Sequence, residues 1–243
     1  MRSITGLLLS LTLALTLAAC NRGGGGSAVT DADMSMGPAN APVTVIEYAS
    51  ASCSHCARWN NDVFPQFKAR YIDTGRVRYV YREFLTPPQE VAAASFLLAR
   101  CAGRERYFSV IEAVYRQQEA MFTSGDFRGG LLRIAQSMGM TEAQFNSCVS
   151  DEAATRALNA RVQGYANSQH ITATPTFVIN GTTLDGEQSM AQLDAAIATA
   201  SGRLATPAAA APTAAAPTAA PPATPTAAAA ATGTNTVPAP GAR

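Results

Sequence analysis

The run Cys53-Ser54-His55-Cys56 constrains this chain more than any other feature, because of what stands on either side of it. Upstream, Pro42-Val43-Thr44-Val45-Ile46-Glu47-Tyr48 is a buried-strand pattern broken only by Glu47, followed by the small-residue loop Ser50-Ala51-Ser52. Downstream, Trp59, Val63, Phe67 and Tyr71 recur every four residues, and Phe64 thickens the stripe. This spacing predicts one helix from the motif to about Tyr71, kinked at Pro65. After Gly75, residues 77–84 alternate as a second strand. Strand, helix and strand in this order make a right-handed parallel unit. Two cysteines at the strand-to-helix junction of such a unit form a redox signature.

The position has a chemical sense. At a helix start, unpaired backbone N–H groups and the positive dipole end stabilise a thiolate on Cys53. Cys56 comes one turn later, so the two sulfurs can close into a redox disulfide. Cys53 is then the exposed nucleophile and Cys56 the buried resolving thiol. His55 lies between them and is expected to donate to, or charge-pair with, the Cys53 sulfur; such surroundings lower cysteine pKa values to roughly 3.5–7.5. Glu47, six residues before Cys53, is costly to ionise if buried, which suits it to shuttle the Cys56 proton through a water. An edge-strand acid facing solvent is the alternative. For the motif as a whole the alternative is half of a zinc site, which needs two further ligands. The histidines are His55 and His170, and there is no second C-x-x-C, so neither metal nor cofactor is expected. His170 reads as a loop residue.

Pro87 and Pro88 open a long helical stretch that continues to about residue 168, with Tyr107, Phe108, Ile111, Val114 and Tyr115 at helical spacing and Thr141 with Gln144 as a capping box. These aromatic stripes are read as core. A strand follows at 175–179, then the type I′ turn signal Asn180-Gly181, a strand at 182–184 and a closing helix at 189–200. The pattern is a βαβ half and a ββα half separated by a helical block.

The ends are of a different kind. Arg2 and the apolar run 7–17 form a targeting segment too short to span a bilayer. Leu17-Ala18-Ala19-Cys20 resembles a bacterial lipobox, which implies a signal peptide at 1–19 and lipidation of Cys20; an ordinary signal peptide is the alternative. Residues 20–40, with glycines 23–26, are expected to be a flexible tether spanning roughly 25 Å. From 205 to 243 all but five residues are Ala, Pro or Thr, which predicts a disordered tail from 204 and confines the folded domain to 41–203. With Cys20 lipidated, Cys53 and Cys56 are the natural local pair, leaving Cys101 with Cys148 for a structural disulfide. Two buried free thiols are the alternative. Eighteen basic against seventeen acidic side chains give no electrostatic footprint for nucleic acid.

Ala41-Pro42-Val43, Glu47, the cysteine motif, the helical insertion and Thr174-Pro175-Thr176-Phe177 with Asn180-Gly181 together resemble the DsbA-like thioredoxin-domain family, over about residues 42–201. The resemblance implies an α/β thioredoxin-like fold, a mixed central sheet with flanking helices and an inserted helical block at about 87–168. It implies a thiol–disulfide oxidoreductase in which the Thr174–Pro175 bond is cis and packs beside the Cys53–Cys56 sulfurs. The backbone of Thr174 is then open to pair with an extended substrate segment. The expected partners are unfolded secreted protein thiols and a membrane redox partner, DsbB-like or equivalent. The expected setting is a monomer on the periplasmic side of the cell envelope, held to a membrane by its lipid anchor. An oxidase is the leading expectation; a reductase or isomerase, and a metal- or peptide-binding module without turnover, are the alternatives. The chain departs from the commonest family pattern at Ser54, where proline usually follows the first cysteine, and this leaves the redox potential open.

Overall fold

A computed structural model describes residues 28–205. The expected signal peptide, Cys20, the glycines 23–26 and the tail from 206 onward lie outside the described residues. The fold is thioredoxin-like. Among the described residues five strands form one sheet: β1 Met34–Met36, β2 Val43–Ala49, β3 Val77–Glu83, β4 Thr176–Ile179 and β5 Thr182–Asp185, in the order β1-β3-β2-β4-β5. Strands β2 and β3 are parallel, with Ala49 opposite Glu83, and the other pairings are antiparallel. Val45, Tyr79 and Phe177 face the main core, whereas Ile46, Tyr48, Val80 and Val178 face a smaller cluster with Ile171 and Tyr165. Both faces of the central strands are covered, which is why they read as nearly continuous apolar runs.

The helix after the cysteine motif is shorter than the periodicity predicts. Helix α1 is Ser54–Asp62, α2 is Phe64–Phe67, and a π-helical turn follows at Lys68–Ile72. Pro65 has no N–H to give and sits in the first turn of a new helix instead of inside an old one. In the next turn Asp73 N–H reaches back five residues to Lys68 O at 2.9 Å. Phe67, Tyr71 and Ile72 are buried across this wider turn.

The helical block comprises α3 Gln89–Cys101, α4 Arg104–Ser124, α5 Phe127–Ser137, α6 Glu142–Val149 and α7 Glu152–Gln169. Thr141 and Gln144 make both bonds of a capping box on α6. Cys101 and Cys148 form a disulfide between α3 and α6, so the two buried thiols of the alternative reading are excluded. His170 caps the C-terminus of α7 in the left-handed region. Asn180 and Gly181 both have positive φ in the turn between β4 and β5, and Asn180 Oδ1 accepts from Thr44 N–H at 2.8 Å. Helix α8, Met190–Ala205, closes the fold. Among the described residues two bonds are cis, Pro87–Pro88 and Thr174–Pro175. No helix among the described residues is long and apolar enough to cross a membrane.

The expectation of a tether up to residue 40 is corrected in its second half. β1 pairs with β3, Met34 is buried, and the Asp33 carboxylate lies 3.0 Å from Arg82 Nε with both side chains buried. Tyr165 donates to the same carboxylate at 3.0 Å, and Arg104 donates to the carbonyls of Asp31 and Asp33. Once α7 covers that face of the sheet, the Arg82 charge requires a buried counter-ion, and the segment before β1 supplies it. Low apolar content concealed this, because the segment is held by charge and backbone bonds more than by apolar burial.

Candidate active site

β2 delivers the chain to the site, and a set of loop bonds fixes it there. Cys53 N–H donates to Ser50 O at 3.1 Å, Ser52 Oγ donates to Thr86 O at 2.8 Å, and Thr86 N–H donates to Ser50 Oγ at 3.2 Å. Helix α4 braces the loop from behind. Gln118 Nε2 donates to Ala51 O at 2.8 Å and to Cys53 O at 3.2 Å, and Tyr115 Oη donates to Ser50 O at 3.2 Å. The helical insertion is therefore part of the site's frame. Sequence reasoning placed Tyr115 in the core and passed over Gln118. A glutamine three residues on from Tyr115, on the buried side of an apolar helix, was the available signal.

Cys53 is the N-cap of α1, in extended conformation, and its Sγ accepts from Cys56 N–H at 3.4 Å. As a thiol it also lies 3.3 Å from Thr174 O, the carbonyl that precedes the cis bond to Pro175. Cys53 is half-buried and Cys56 is fully buried, and both are free thiols here. The Cys53 thiol is held down at about 5, chiefly by the Cys56 side chain; burial opposes this, and Thr174 and the backbone N–H groups of Cys56 and His55 add to it. The Cys56 thiol is pushed well above its ordinary value by burial and by the neighbouring Cys53 sulfur. The pair is thus asymmetric, one sulfur built to carry charge and the other built to stay neutral.

Glu47 is buried on β2 behind the cysteines, which excludes the solvent-facing alternative. Tyr79 Oη donates to its Oε2, while Oε1 is buried with no hydrogen-bond partner among the described residues. Burial raises the Glu47 carboxyl to about 8, the Tyr79 bond pulling it down and the Cys53 charge pushing it further up. At neutral pH the carboxyl holds its proton. Tyr79 had no distinguishing mark in the sequence, being one of several alternating aromatics.

His55 is placed differently from the expectation. Its Nδ1 lies 2.5 Å from Glu187 Oε1, and its effect on Cys53 comes through its backbone N–H. The imidazole contact with the Cys53 sulfur is not made. The structure thus brings together Cys53, Cys56, Glu47, Thr174 and Pro175, with His55 at the rim turned outward. Among the described residues no group of three or more His, Cys, Asp or Glu side chains is placed to hold a metal ion.

Comparison with known proteins bears on the family and the fold. Residues 29–199 match the family model described as Thioredoxin. A proposed protein-disulfide oxidoreductase of Rickettsia bellii is 33% identical over 154 residues, 63% of this chain and 59% of the relative, so the chain spans less than two thirds of that protein's length. The crystal structure of Wolbachia pipientis alpha-DsbA1 superposes with a TM-score of 0.66 at 27% identity, covering 72% of this chain and 94% of that one. A protein-disulfide isomerase from Novosphingobium aromaticivorans has the same fold, with a TM-score of 0.62 at 20% identity over 71% of this chain and 99% of its own.

Proposed function

The chain belongs to the DsbA-like thioredoxin family, and on that premise we propose that it is a thiol–disulfide oxidoreductase acting as an oxidase of protein thiols through Cys53 and Cys56. The observation that carries the reading is the asymmetry of the two sulfurs, Cys53 low and Cys56 high, with a protonated carboxyl behind them. Starting from the Cys53–Cys56 disulfide, a substrate thiolate attacks Cys53 Sγ. A mixed disulfide forms, the Cys53–Cys56 bond breaks, and Cys56 leaves with the electron pair. Cys56 is a poor thiolate in its buried setting, so it takes the proton that Glu47 holds, by way of a water. The second thiolate of the substrate then attacks its own sulfur in the mixed disulfide and releases Cys53 as a thiolate. The substrate has lost two electrons and the pair has gained them.

The direction follows from which product is stabilised. Each pKa unit by which Cys53 lies below its ordinary value is worth about 1.4 kcal/mol, so after solvent screening its thiolate favours the reduced pair by on the order of 3–5 kcal/mol. A reduced form made stable in this way makes the disulfide an oxidant. The backbone of Thr174 beside Cys53 suits pairing with an extended, unfolded substrate segment. Reoxidation requires an electron acceptor, which we assign to a membrane redox partner of the DsbB-like class. Lipidation at Cys20 and a place on the periplasmic side of the envelope complete the reading.

The test is the alkylation rate of Cys53 against pH, together with the position of the pair's equilibrium with glutathione. A midpoint near 5 and a pair that oxidises glutathione are expected; a midpoint near 8.5 with a reducing pair would overturn the oxidase reading. Cys53→Ser is expected to abolish disulfide transfer. Cys56→Ser is expected to accumulate mixed disulfides with substrate, seen as adducts on non-reducing gels.

A further inference from the structure

Glu187 lies in the turn between β5 and α8, outside every motif in the chain. Its Oε1 is 2.5 Å from His55 Nδ1 and accepts from Arg58 Nη2 at 2.8 Å, and Arg58 Nε donates to Oε1 at 3.0 Å and to Oε2 at 3.1 Å. Arg58 Nη2 also lies 2.8 Å from His55 Nδ1. A single carboxylate therefore gathers both basic side chains of the first turns of α1. The residues on either side of it are fixed to the same site. Gly186 N–H donates to Pro175 O at 2.9 Å, and Trp59 Nε1–H donates to Gln188 O at 2.9 Å. The carboxylate is thus presented by a turn bolted to both the cis-proline loop and α1.

We propose that Glu187 is a positioning residue that moderates the oxidising strength of the Cys53–Cys56 pair, by holding the His55 ring and the Arg58 guanidinium on itself and away from the Cys53 sulfur. The proposal rests on the reading of these cysteines as a working redox couple. A thiolate is stabilised by a nearby cation or donor, and a cation already matched by a carboxylate stabilises it much less. The carboxylate's own charge acts in the same direction, against the thiolate. Among the described residues the other charges that bear on this cluster are Asp62, which acts on Arg58, the Cys53 thiolate, which Arg58 still feels weakly, and Glu47 behind the cysteines on the buried side. The His55, Arg58 and Glu187 side chains are 61%, 54% and 31% exposed, so salt screens the effect.

The test uses Glu187→Gln in the full-length protein, with Cys53 alkylation followed against pH and the pair equilibrated with glutathione buffers. The expected result is an alkylation midpoint lower by about half to one pH unit and an equilibrium constant for oxidising glutathione raised about three- to tenfold. A tenfold rise corresponds to about 30 mV for this two-electron couple. The difference should shrink in high salt, and Glu187→Asp should lie between the two. A second comparison bears on His55 itself: His55→Ala should change the equilibrium constant less than about twofold in the wild-type background and more in the Glu187→Gln background. A folded Glu187→Gln protein with an unchanged equilibrium constant would overturn the proposal, as would an equal effect of His55→Ala in both backgrounds. If the wild-type pair neither exchanges with glutathione nor shows a low midpoint, the failure belongs to the functional reading and not to Glu187.

Discussion

Glu47 and Cys53 bring opposite pH dependences to the stability of the protein. The Glu47 carboxyl, raised to about 8, binds its proton more tightly in the folded state, so it costs stability as pH rises from the ordinary carboxylate range through 8. Cys53, lowered to about 5, contributes stability that is complete above the ordinary thiol range and is lost as pH falls through 5. In the reduced protein the two oppose each other between about pH 5 and 8. In the oxidised protein Cys53 does not titrate and its charge no longer lifts the Glu47 carboxyl, so the cost that burial alone imposes on Glu47 stands by itself. Glu47→Gln is therefore expected to stabilise the oxidised protein at pH 8 by about 2–4 kcal/mol and to flatten its slope from pH 5 to 8, read by denaturant unfolding across that range. At this scale the sequence was informative where residue type and spacing carry the chemistry, as in Cys53, Cys56 and an acid inside a buried strand. It was silent on Glu187, which meets His55 across 132 positions through a turn that only the folded hairpin brings back.

Among the elements, β1 is where composition misled. Three residues of edge strand are too few to leave a periodic pattern, and the segment just before them is held by Arg82, Arg100 and Arg104 from far along the chain. Asp33→Asn should expose the cost of that arrangement. Removing the carboxylate from a buried guanidinium is expected to lower stability by about 3 kcal/mol and to speed amide exchange along the β1 edge of β3, while Cys53 alkylation is unaffected. A loss below about 0.5 kcal/mol would mean that the pair does little. The break between α1 and the π-helical turn was hidden for another reason. An every-fourth-residue stripe is compatible with one helix or with two shorter pieces, and only the missing N–H of Pro65 marked the seam.

For the molecule as a whole, the order of sheet and helical block was legible because each half carries its own strand and turn signals. How the block attaches was not. Glu83, at the end of β3, takes Arg100 from α3 at 2.5 Å, Tyr107 from α4 at 3.0 Å and Arg161 from α7 at 2.9 Å, so one carboxylate joins three helices to the sheet. The Cys101–Cys148 disulfide ties α3 to α6 across 47 positions. Replacing both cysteines by serine is expected to cost about 3–4 kcal/mol in unfolding free energy on the chain-entropy model and to leave the Cys53 alkylation profile in place. A shifted profile would mean that the disulfide shapes the site and not only the fold.

The edge strand has one more consequence. Because Met34 stands opposite Tyr81 while Ala49 stands opposite Glu83, the segment ahead of β1 joins the sheet at the end from which Cys53 projects. Any load carried by residues before 28, a lipid included, reaches the domain at that end. An attachment ahead of β1 and a substrate at Cys53 would therefore share one end of the sheet, so a change in one can be felt at the other without passing through the core.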